Sequence, residues 1–266
     1  MTSRPPRDVD DPQFAWRESG DGPLVVLLHG LGGSRISWEP QLEGLVGFRV
    51  AAWDMPGYGA GPPLDDVSFS TLAQAAADFI EHLGEPSAHV VGISFGGMIA
   101  QYLAVWHPRV VRSLTLLSTS PAFGLDGTSA PDWQAARLAP LDAGREPADF
   151  AGEVLSRLAA PTISPTALAT QCAAMSRVSA AALRSSIACI VTHDSRPLLA
   201  GIAAPTQCLV GELDAETPPA YSRALAEGII AARVGIIANA GHLLNAEAPE
   251  QVNDRIVRFI TAVDAP

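Results

Sequence analysis

Residues 89–104 read HVVGISFGGMIAQYLA. A continuous apolar run ends at Gly92, Ser94 follows, and two more glycines open a segment with helical character. A short apolar run without alternation is typical of a strand that is covered on both faces, as in a parallel sheet under helices. The stretch therefore predicts a sharp strand-to-helix turn that carries a serine hydroxyl.

The segments around this turn repeat the alternation of strand and helix. Further apolar runs typical of strands are PLVVLLHG at 23–30, FRVAAWDMPG at 48–57, VRSLTLLSTS at 111–120, PTQCLVGELD at 205–214 and RVGIIANAGH at 233–242. Amphipathic helical patterns lie between several of them, and a last one follows at 248–263. This alternation implies right-handed crossovers, and hence an α/β architecture with a mostly parallel central sheet flanked by helices.

Residues 122–195 interrupt the alternation. The stretch is rich in Ala, Leu, Ser and Pro, shows no convincing buried strand, and holds short helical patterns such as PDWQAARLA and ADFAGEVLSRLAA. A run of about 70 residues is too long for an ordinary loop. We therefore expect a core made of residues 1–121 and 196–266, with residues 122–195 inserted as a helical cap over the carboxyl edge of the sheet.

Composition limits the possible partners. The chain has 266 residues, is 48% hydrophobic and carries a formal net charge of -11. Phosphate binding needs clustered Lys and Arg, so the acidic balance argues against a nucleic-acid partner. No apolar run reaches the roughly 18 residues of a membrane-spanning helix, and the polar first ten residues predict a loose tail rather than a signal peptide. We expect a soluble, cytoplasmic protein without a membrane partner, and the oligomeric state stays open.

Ser94 lies where the carboxyl ends of parallel strands meet, which is where such sheets bind ligands. A serine hydroxyl is a weak nucleophile at neutral pH and needs a base. Among the six histidines we favour His242, because its loop follows the last predicted strand and reaches the same edge. A base of this kind is oriented by an acid. Asp214, at the end of LVGELD, is the preferred acid, and Glu212 and Glu216 are the alternatives.

Two glycine-containing turns complete the predicted site. The motif HGLGG at 29–33 follows the first buried strand and allows backbone N–H groups to approach a ligand closely. The N–H groups of Leu31 and Phe95 are the expected donors to an oxyanion, because Leu31 lies in the HGLGG turn and Phe95 directly follows the nucleophile. Asp54, in DMPGYG, is expected to be structural and not a second catalytic acid.

Together, the segments HGLGG, DMPGYG, GISFGG, GELDAETPP and NAGH resemble the α/β-hydrolase superfamily over nearly the whole chain. The order Ser94, Asp214, His242 is that of its catalytic triad. A finer resemblance, to 3-oxoadipate enol-lactonases and the carboxylesterases near them, rests on GISFGGMIAQYLAVWHPRVVRSLTLLSTSP, DWQAAR, CAAM and DAETPPAYSRALA. Phe95 after the nucleophile and GHLLN around the base depart from that pattern, and the middle of the cap matches it poorly.

The resemblance implies an α/β-hydrolase fold and a serine hydrolase that cleaves a small carboxylic ester or (enol-)lactone through an acyl-enzyme, without a cofactor or metal. The same triad serves C–C bond hydrolysis of vinylogous diketones, and a non-catalytic ligand receptor of this fold would also keep it. Arg137 could pair with a substrate carboxylate. The candidate substrate-binding residues are Trp38, Phe123, Trp133, Arg137 and Met175.

Overall fold

A central eight-stranded sheet organises the computed structural model, which describes residues 4–265. Within these residues the strands are β1 (Arg7–Asp10), β2 (Ala15–Ser19), β3 (Leu24–Leu28), β4 (Arg49–Asp54), β5 (Ala88–Ile93), β6 (Val111–Leu117), β7 (Thr206–Gly211) and β8 (Arg233–Ile237). Their order is β1-β2-β4-β3-β5-β6-β7-β8. The β1–β2 and β2–β4 pairs are antiparallel, and the other pairs are parallel. This confirms the predicted α/β class with a mostly parallel sheet.

Helices cover both faces of the sheet. Across the described residues they are α1 (Glu39–Gly44), α2 (Phe69–His82), α3 (Phe95–Trp106), α4 (Ala130–Asp142), α5 (Pro147–Leu158), α6 (Pro165–Met175), α7 (Ala180–Ile190), α8 (Pro219–Gly228), α9 (Leu244–Glu247) and α10 (Pro249–Asp264). Successive side chains of a strand point to opposite faces. Val26 of β3 thus joins a cluster with α2, α3 and α8, and Val25 joins one with α1 and α10. None of the described helices has the length and apolar character that crossing a lipid bilayer needs.

The first strand corrects one prediction. Residues 7–10 form β1 and not part of a loose tail, whereas residues 1–3 lie outside the described residues. Ion pairs attach β1 to β2, because Arg7 binds Glu18, and Arg17 lies 3.2 Å from Asp8. The apolar-run pattern predicted six of the eight strands and missed both β1 and β2, because neither RDVD nor AWRES is a continuous apolar run.

Four helices, α4 to α7, lie between β6 and β7. Helix α4 packs on α7, α5 packs on α6, and α6 also contacts α9 and residues 35–38. The two ends of this stretch lie side by side, because Phe123 N–H donates to the carbonyl oxygen of His193 at 2.9 Å and Ser195 N–H donates to that of Pro121 at 2.8 Å. We refer to residues 122–195 as the cap.

Candidate active site

Ser94 lies at the turn between β5 and α3 and is half-buried. Its φ of 52° and ψ of -118° lie outside the regions that residues other than glycine usually adopt. Neighbouring glycines make this turn possible, since a Cβ on Gly96 would lie 2.1 Å from the carbonyl oxygen of Leu28. A Cβ on Gly92 would lie 2.4 Å from the carbonyl oxygen of Gly96. The surrounding backbone therefore holds Ser94 in a strained conformation at the carboxyl edge of the sheet.

Three side chains from distant parts of the sequence meet at this edge. The Oγ atom of Ser94 lies 3.0 Å from Nε2 of His242. The Nδ1 atom of His242 lies 3.1 Å from Oδ1 and 3.0 Å from Oδ2 of Asp214. Both His242 and Asp214 are buried. A proton on Nδ1 is donated to Asp214, which leaves Nε2 free to accept the proton of the Ser94 hydroxyl.

Asp214 is held by the residues that follow it. Its Oδ1 accepts the N–H groups of Glu216 at 3.0 Å and Thr217 at 2.8 Å, and its Oδ2 accepts the Thr217 hydroxyl at 3.0 Å. Burial raises the pKa of Asp214, but the charge of His242 and the hydrogen bonds from His242 and Thr217 outweigh it, so the pKa lies below its usual value. Asp214 is therefore ionised at neutral pH.

The two alternative acids point elsewhere. Glu212 is exposed and accepts the N–H of Asn239 at 3.2 Å. Glu216 binds the guanidinium of Arg137. Of the three carboxylates considered from the sequence, Asp214 is thus the one that contacts the imidazole.

Opposed effects set the pKa of His242. Burial of the imidazole lowers it, whereas the charge and hydrogen bond of Asp214 raise it, together with the charges of Glu216 and Glu247. The raising effects prevail, so the pKa of His242 lies above its usual value. This environment favours the imidazolium that forms when the base takes a proton from a neighbouring hydroxyl.

The HGLGG loop approaches the serine turn from the end of β3. A Cβ on Gly30 would lie 3.2 Å from Cβ of Ser94. His29 is buried; its Nε2 accepts the N–H of Met55 at 3.0 Å, and its Nδ1 lies 2.9 Å from the carbonyl oxygen of Gly30. Because Nε2 accepts, Nδ1 carries the proton and donates it to Gly30. The imidazole of His29 thereby ties this loop to the residue that follows β4.

Asp54, the last residue of β4, links neighbouring segments through its carboxylate. Its Oδ1 accepts the N–H of Arg35 at 2.8 Å, and its Oδ2 accepts the N–H of Ala60 at 3.0 Å. The carboxylate is fully buried and also lies 3.5 Å from the guanidinium of Arg177. Asp54 thus connects two core loops to the cap, which agrees with the structural role expected from the sequence.

A cavity of about 980 Å³ has Ser94 and His242 in its wall. Much of the remaining wall comes from the cap helices. Five of the other residues proposed from the sequence also line it, and these are Leu31, Phe123, Trp133, Arg137 and Met175.

Trp38 was a wrong choice as a pocket residue. Its side chain is fully buried, and it belongs to the hydrophobic cluster under α1 and α10 instead of the cavity wall. Trp38 is the last residue of the 3₁₀ turn Arg35–Trp38, and its indole lies on the side of the sheet that these two helices cover. A tryptophan soon after a Gly-rich loop gives no sequence signal for the direction of its side chain.

Arg137 is already paired at the wall of the cavity. Its guanidinium binds Glu216 and lies 3.8 Å from the centre of the Trp133 ring. The Trp133 ring in turn meets Phe123 edge-on, with 5.3 Å between the ring centroids. This stack links α4 of the cap to the loop that carries Asp214. To bind a substrate carboxylate, as the sequence suggested, Arg137 would have to exchange Glu216 for the ligand.

Two residues of the site were not identified from the sequence. Thr217 holds Asp214 through both its N–H and its hydroxyl. A Thr three residues after an Asp is a recognisable signal, because Asp and Thr side chains often form hydrogen bonds with the backbone of their own turn. Glu247 accepts hydrogen bonds from the His242 loop and from the cap. No local pattern reveals it, since its cap partner is distant in sequence.

Fold and site together define a class, the α/β hydrolases, with Ser94 at the turn between β5 and α3. The chain belongs to the α/β-hydrolase family, because the family model described as alpha/beta hydrolase fold matches residues 23–249. This confirms the resemblance read from the motifs.

Similar proteins include esterases and a lactonase. The chain is 34% identical over 219 residues to the pimeloyl-[acyl-carrier protein] methyl ester esterase of Chromobacterium violaceum, covering 79% of this chain and 83% of that protein. It is similar to the solved enol-lactonase from Burkholderia xenovorans LB400, with a TM-score of 0.82 and 25% identity over 96% of this chain and 100% of the other. A thermophilic esterase from Thermogutta terrifontis has a TM-score of 0.84 and 25% identity, over 98% and 99% of the two chains.

Proposed function

We propose that this protein is a serine hydrolase that cleaves a carboxylic ester or lactone through an acyl-enzyme intermediate. Ser94 is the nucleophile, His242 the general base, and Asp214 the acid that orients the base. The observation that carries the proposal is the unbroken hydrogen-bonded contact from Ser94 Oγ through His242 to Asp214 Oδ2, 3.0 Å at each link. The similarity to two esterases and an enol-lactonase supports the same reaction class.

In the proposed mechanism, Nε2 of His242 takes the Ser94 proton while Oγ attacks the carbonyl carbon. Asp214 stabilises the resulting imidazolium. The tetrahedral intermediate collapses, the alkoxide leaves with the proton of His242, and the acyl group stays on Ser94. Water, deprotonated by the same imidazole, then attacks the acyl-enzyme and releases the acid.

The N–H groups of Leu31 and Phe95 are the proposed donors to the oxyanion. Phe95 is the first residue of α3, so its N–H belongs to the helix end that lacks an intrahelical acceptor. Leu31 follows Gly30, whose close approach to Ser94 brings the HGLGG loop beside the nucleophile. In a comparable site, loss of one such donor raises the barrier by about 2.7–4 kcal/mol.

The cavity favours a neutral substrate with a bulky apolar group. Its volume of about 980 Å³ lies at the upper end of the roughly 300–1,000 Å³ typical of small-molecule sites. The wall holds three arginines and four carboxylates, so it has no excess of positive charge. Arg137 pairs with Glu216 and Arg145 with Glu153, and Arg157 shares the wall with Asp126 and Asp132. Much of the wall is apolar, through Met98, Phe150, Leu155, Met175, Leu183, Ile187 and Ile190. We therefore favour neutral esters and lactones as substrates over enol-lactones whose binding depends on a carboxylate group.

Turnover of p-nitrophenyl esters of increasing acyl length, and of neutral and carboxylated lactones, tests the proposal. We expect hydrolysis that Ser94→Ala abolishes, with neutral substrates preferred. Ser37→Ala and Ser120→Ala are matched controls, because both serines line the same cavity, and they should retain most of the turnover. Undiminished hydrolysis by Ser94→Ala would exclude Ser94 as the nucleophile. A folded wild-type protein that is inert to all esters, lactones and fluorophosphonates would exclude the proposed activity.

A further inference from the structure

The loop that carries His242 is fastened to the end of α5 in the cap. The N–H of His242 donates to the carbonyl oxygen of Leu158, the last residue of α5, at 3.0 Å. The two backbones touch at Gly241, where an added Cβ would lie 2.6 Å from the nitrogen of Ala160. Close backbone contact of this kind requires glycine. The end of α5 and the loop that carries His242 are therefore in direct backbone contact.

One carboxylate joins the two segments. Oε2 of Glu247 accepts the N–H of Gly241 at 2.7 Å and the N–H of Ala160 at 2.9 Å. Oε1 accepts the N–H of Leu243 at 2.9 Å. Two of these donors flank His242 on either side in the sequence, and the third belongs to the cap. Hydrogen bonds to an ionised acceptor are roughly twice as strong as neutral ones.

We propose that Glu247 is a positioning residue that holds the His242 loop against the end of α5, so that Nε2 of His242 stays within hydrogen-bond distance of Ser94. The inference rests on the proposed function and extends it, because the cap then takes part in the geometry of the base as well as in the substrate pocket. Turnover should therefore depend on a carboxylate that does not touch the substrate.

Glutamine at position 247 separates this role from simple space filling. The amide has nearly the shape of the carboxylate but only one acceptor oxygen. Its NH₂ group would face either the Leu243 N–H or the pair of N–H groups from Gly241 and Ala160. At least one donor beside His242 or in the cap would then lose its partner.

A second effect of the same change is electrostatic. The charged groups that act on His242 are Asp214, Glu216 and Glu247, and each raises the pKa of the imidazole, whereas burial lowers it. Neutralising Glu247 removes one of the raising charges, so the pKa of His242 should fall. The acid limb of kcat/KM should then move to lower pH, which a residue with a purely structural role would not cause.

The experiment compares Glu247→Gln and Glu247→Ala with Glu18→Gln. Glu18 is a matched control, since it is a buried carboxylate of β2 that binds Arg7, Trp16 and Arg49 and is not among the cavity residues. With a p-nitrophenyl ester that the wild type hydrolyses, we expect Glu247→Gln to lower kcat by about tenfold or more, since misplacement by about 1 Å can cost about a hundredfold. Its KM should change little, and its acid limb should move to lower pH. Glu18→Gln should melt earlier but keep the wild-type pH profile.

Several outcomes would overturn the inference. A Glu247→Gln enzyme with wild-type kcat and an unmoved acid limb, assayed below its melting temperature, would do so. Hydrogen exchange gives a test that needs no activity: in the wild type the amides of Gly241, Leu243 and Ala160 should be protected together. A freely exchanging Ala160 amide would refute the link even if neither variant folds. An inert wild type would instead count against the proposed function, and exchange would still decide the link.

Discussion

Asparagine in place of Asp214 keeps the size of the side chain but replaces one acceptor oxygen by an NH₂ group. Both carboxylate oxygens are in use. Oδ1 accepts the N–H groups of Glu216 and Thr217 at 3.0 and 2.8 Å. Oδ2 accepts the Thr217 hydroxyl and lies 3.0 Å from Nδ1 of His242. In either orientation, the NH₂ of the asparagine therefore faces donors.

The backbone donors cannot turn away, whereas the imidazole can change its tautomer. We expect the amide oxygen to stay with Glu216 and Thr217 and the NH₂ to face His242. Nδ1 then becomes an acceptor, the ring proton moves to Nε2, and Nε2 can no longer accept the proton of Ser94. The same substitution in a serine-protease triad lowers kcat about 10⁴-fold, or about 5 kcal/mol of barrier. We expect a loss of that order for Asp214→Asn.

The assay is turnover of a p-nitrophenyl ester, with Glu212→Gln as the matched control for loss of a nearby acid. Glu212 is exposed and does not contact His242, so its variant should keep wild-type kcat. The low-field proton resonance of His242 Nδ1–H should be present in the wild type and absent from Asp214→Asn. A folded Asp214→Asn enzyme within about tenfold of the wild type, or a larger loss in Glu212→Gln, would refute the reasoning.

Three further predictions concern the turn, the base and the stability of the fold. Gly96→Ala places a Cβ 2.1 Å from a backbone oxygen, and such overpacking should lower the melting temperature by several degrees. Gly152→Ala, which meets open space inside α5, should melt at or slightly above the wild-type temperature, because alanine favours a helix interior over glycine; equal melting of both variants would contradict the packing argument. Because the pKa of His242 is raised, the acid limb of wild-type kcat/KM should have its midpoint above about 6.5, and a lower midpoint would refute this. Burial lowers the pKa of His193 to about 4. Its unfolded pKa is about 6.5, so about 3 kcal/mol of stability should be present at neutral pH and lost as the pH falls from about 6.5 to 4. Urea unfolding at pH 7 and 4.5 should show a smaller loss in His193→Gln, and an identical loss in both proteins would contradict it.

Most of the sheet could be predicted because its strands are covered on both faces. Strands β3 and β5 are buried throughout, so each appears in the sequence as an uninterrupted apolar run. Strand β1 could not be found in this way. Three of its four residues are exposed, only Val9 packs against the core, and backbone pairing and ion pairs attach the strand to β2.

The three residues of the proposed triad could be chosen from the sequence because each follows a predicted strand, and the ends of parallel strands meet at one edge. Contacts between residues that are far apart in the sequence leave no such signal. Trp38 had the right residue type for a pocket but points into the core. Glu247 acts through backbone groups of the cap, and only the folded chain brings these beside His242.

The central claim is that Ser94 is a nucleophile activated by His242. Labelling with a fluorophosphonate, followed by mass mapping of the modified peptide, tests it most directly. The account predicts a single adduct on Ser94 that is missing from Ser94→Ala and forms far more slowly in His242→Ala. An adduct on Ser37 or Ser120, the other serines of the cavity wall, or labelling at the wild-type rate in His242→Ala, would contradict it.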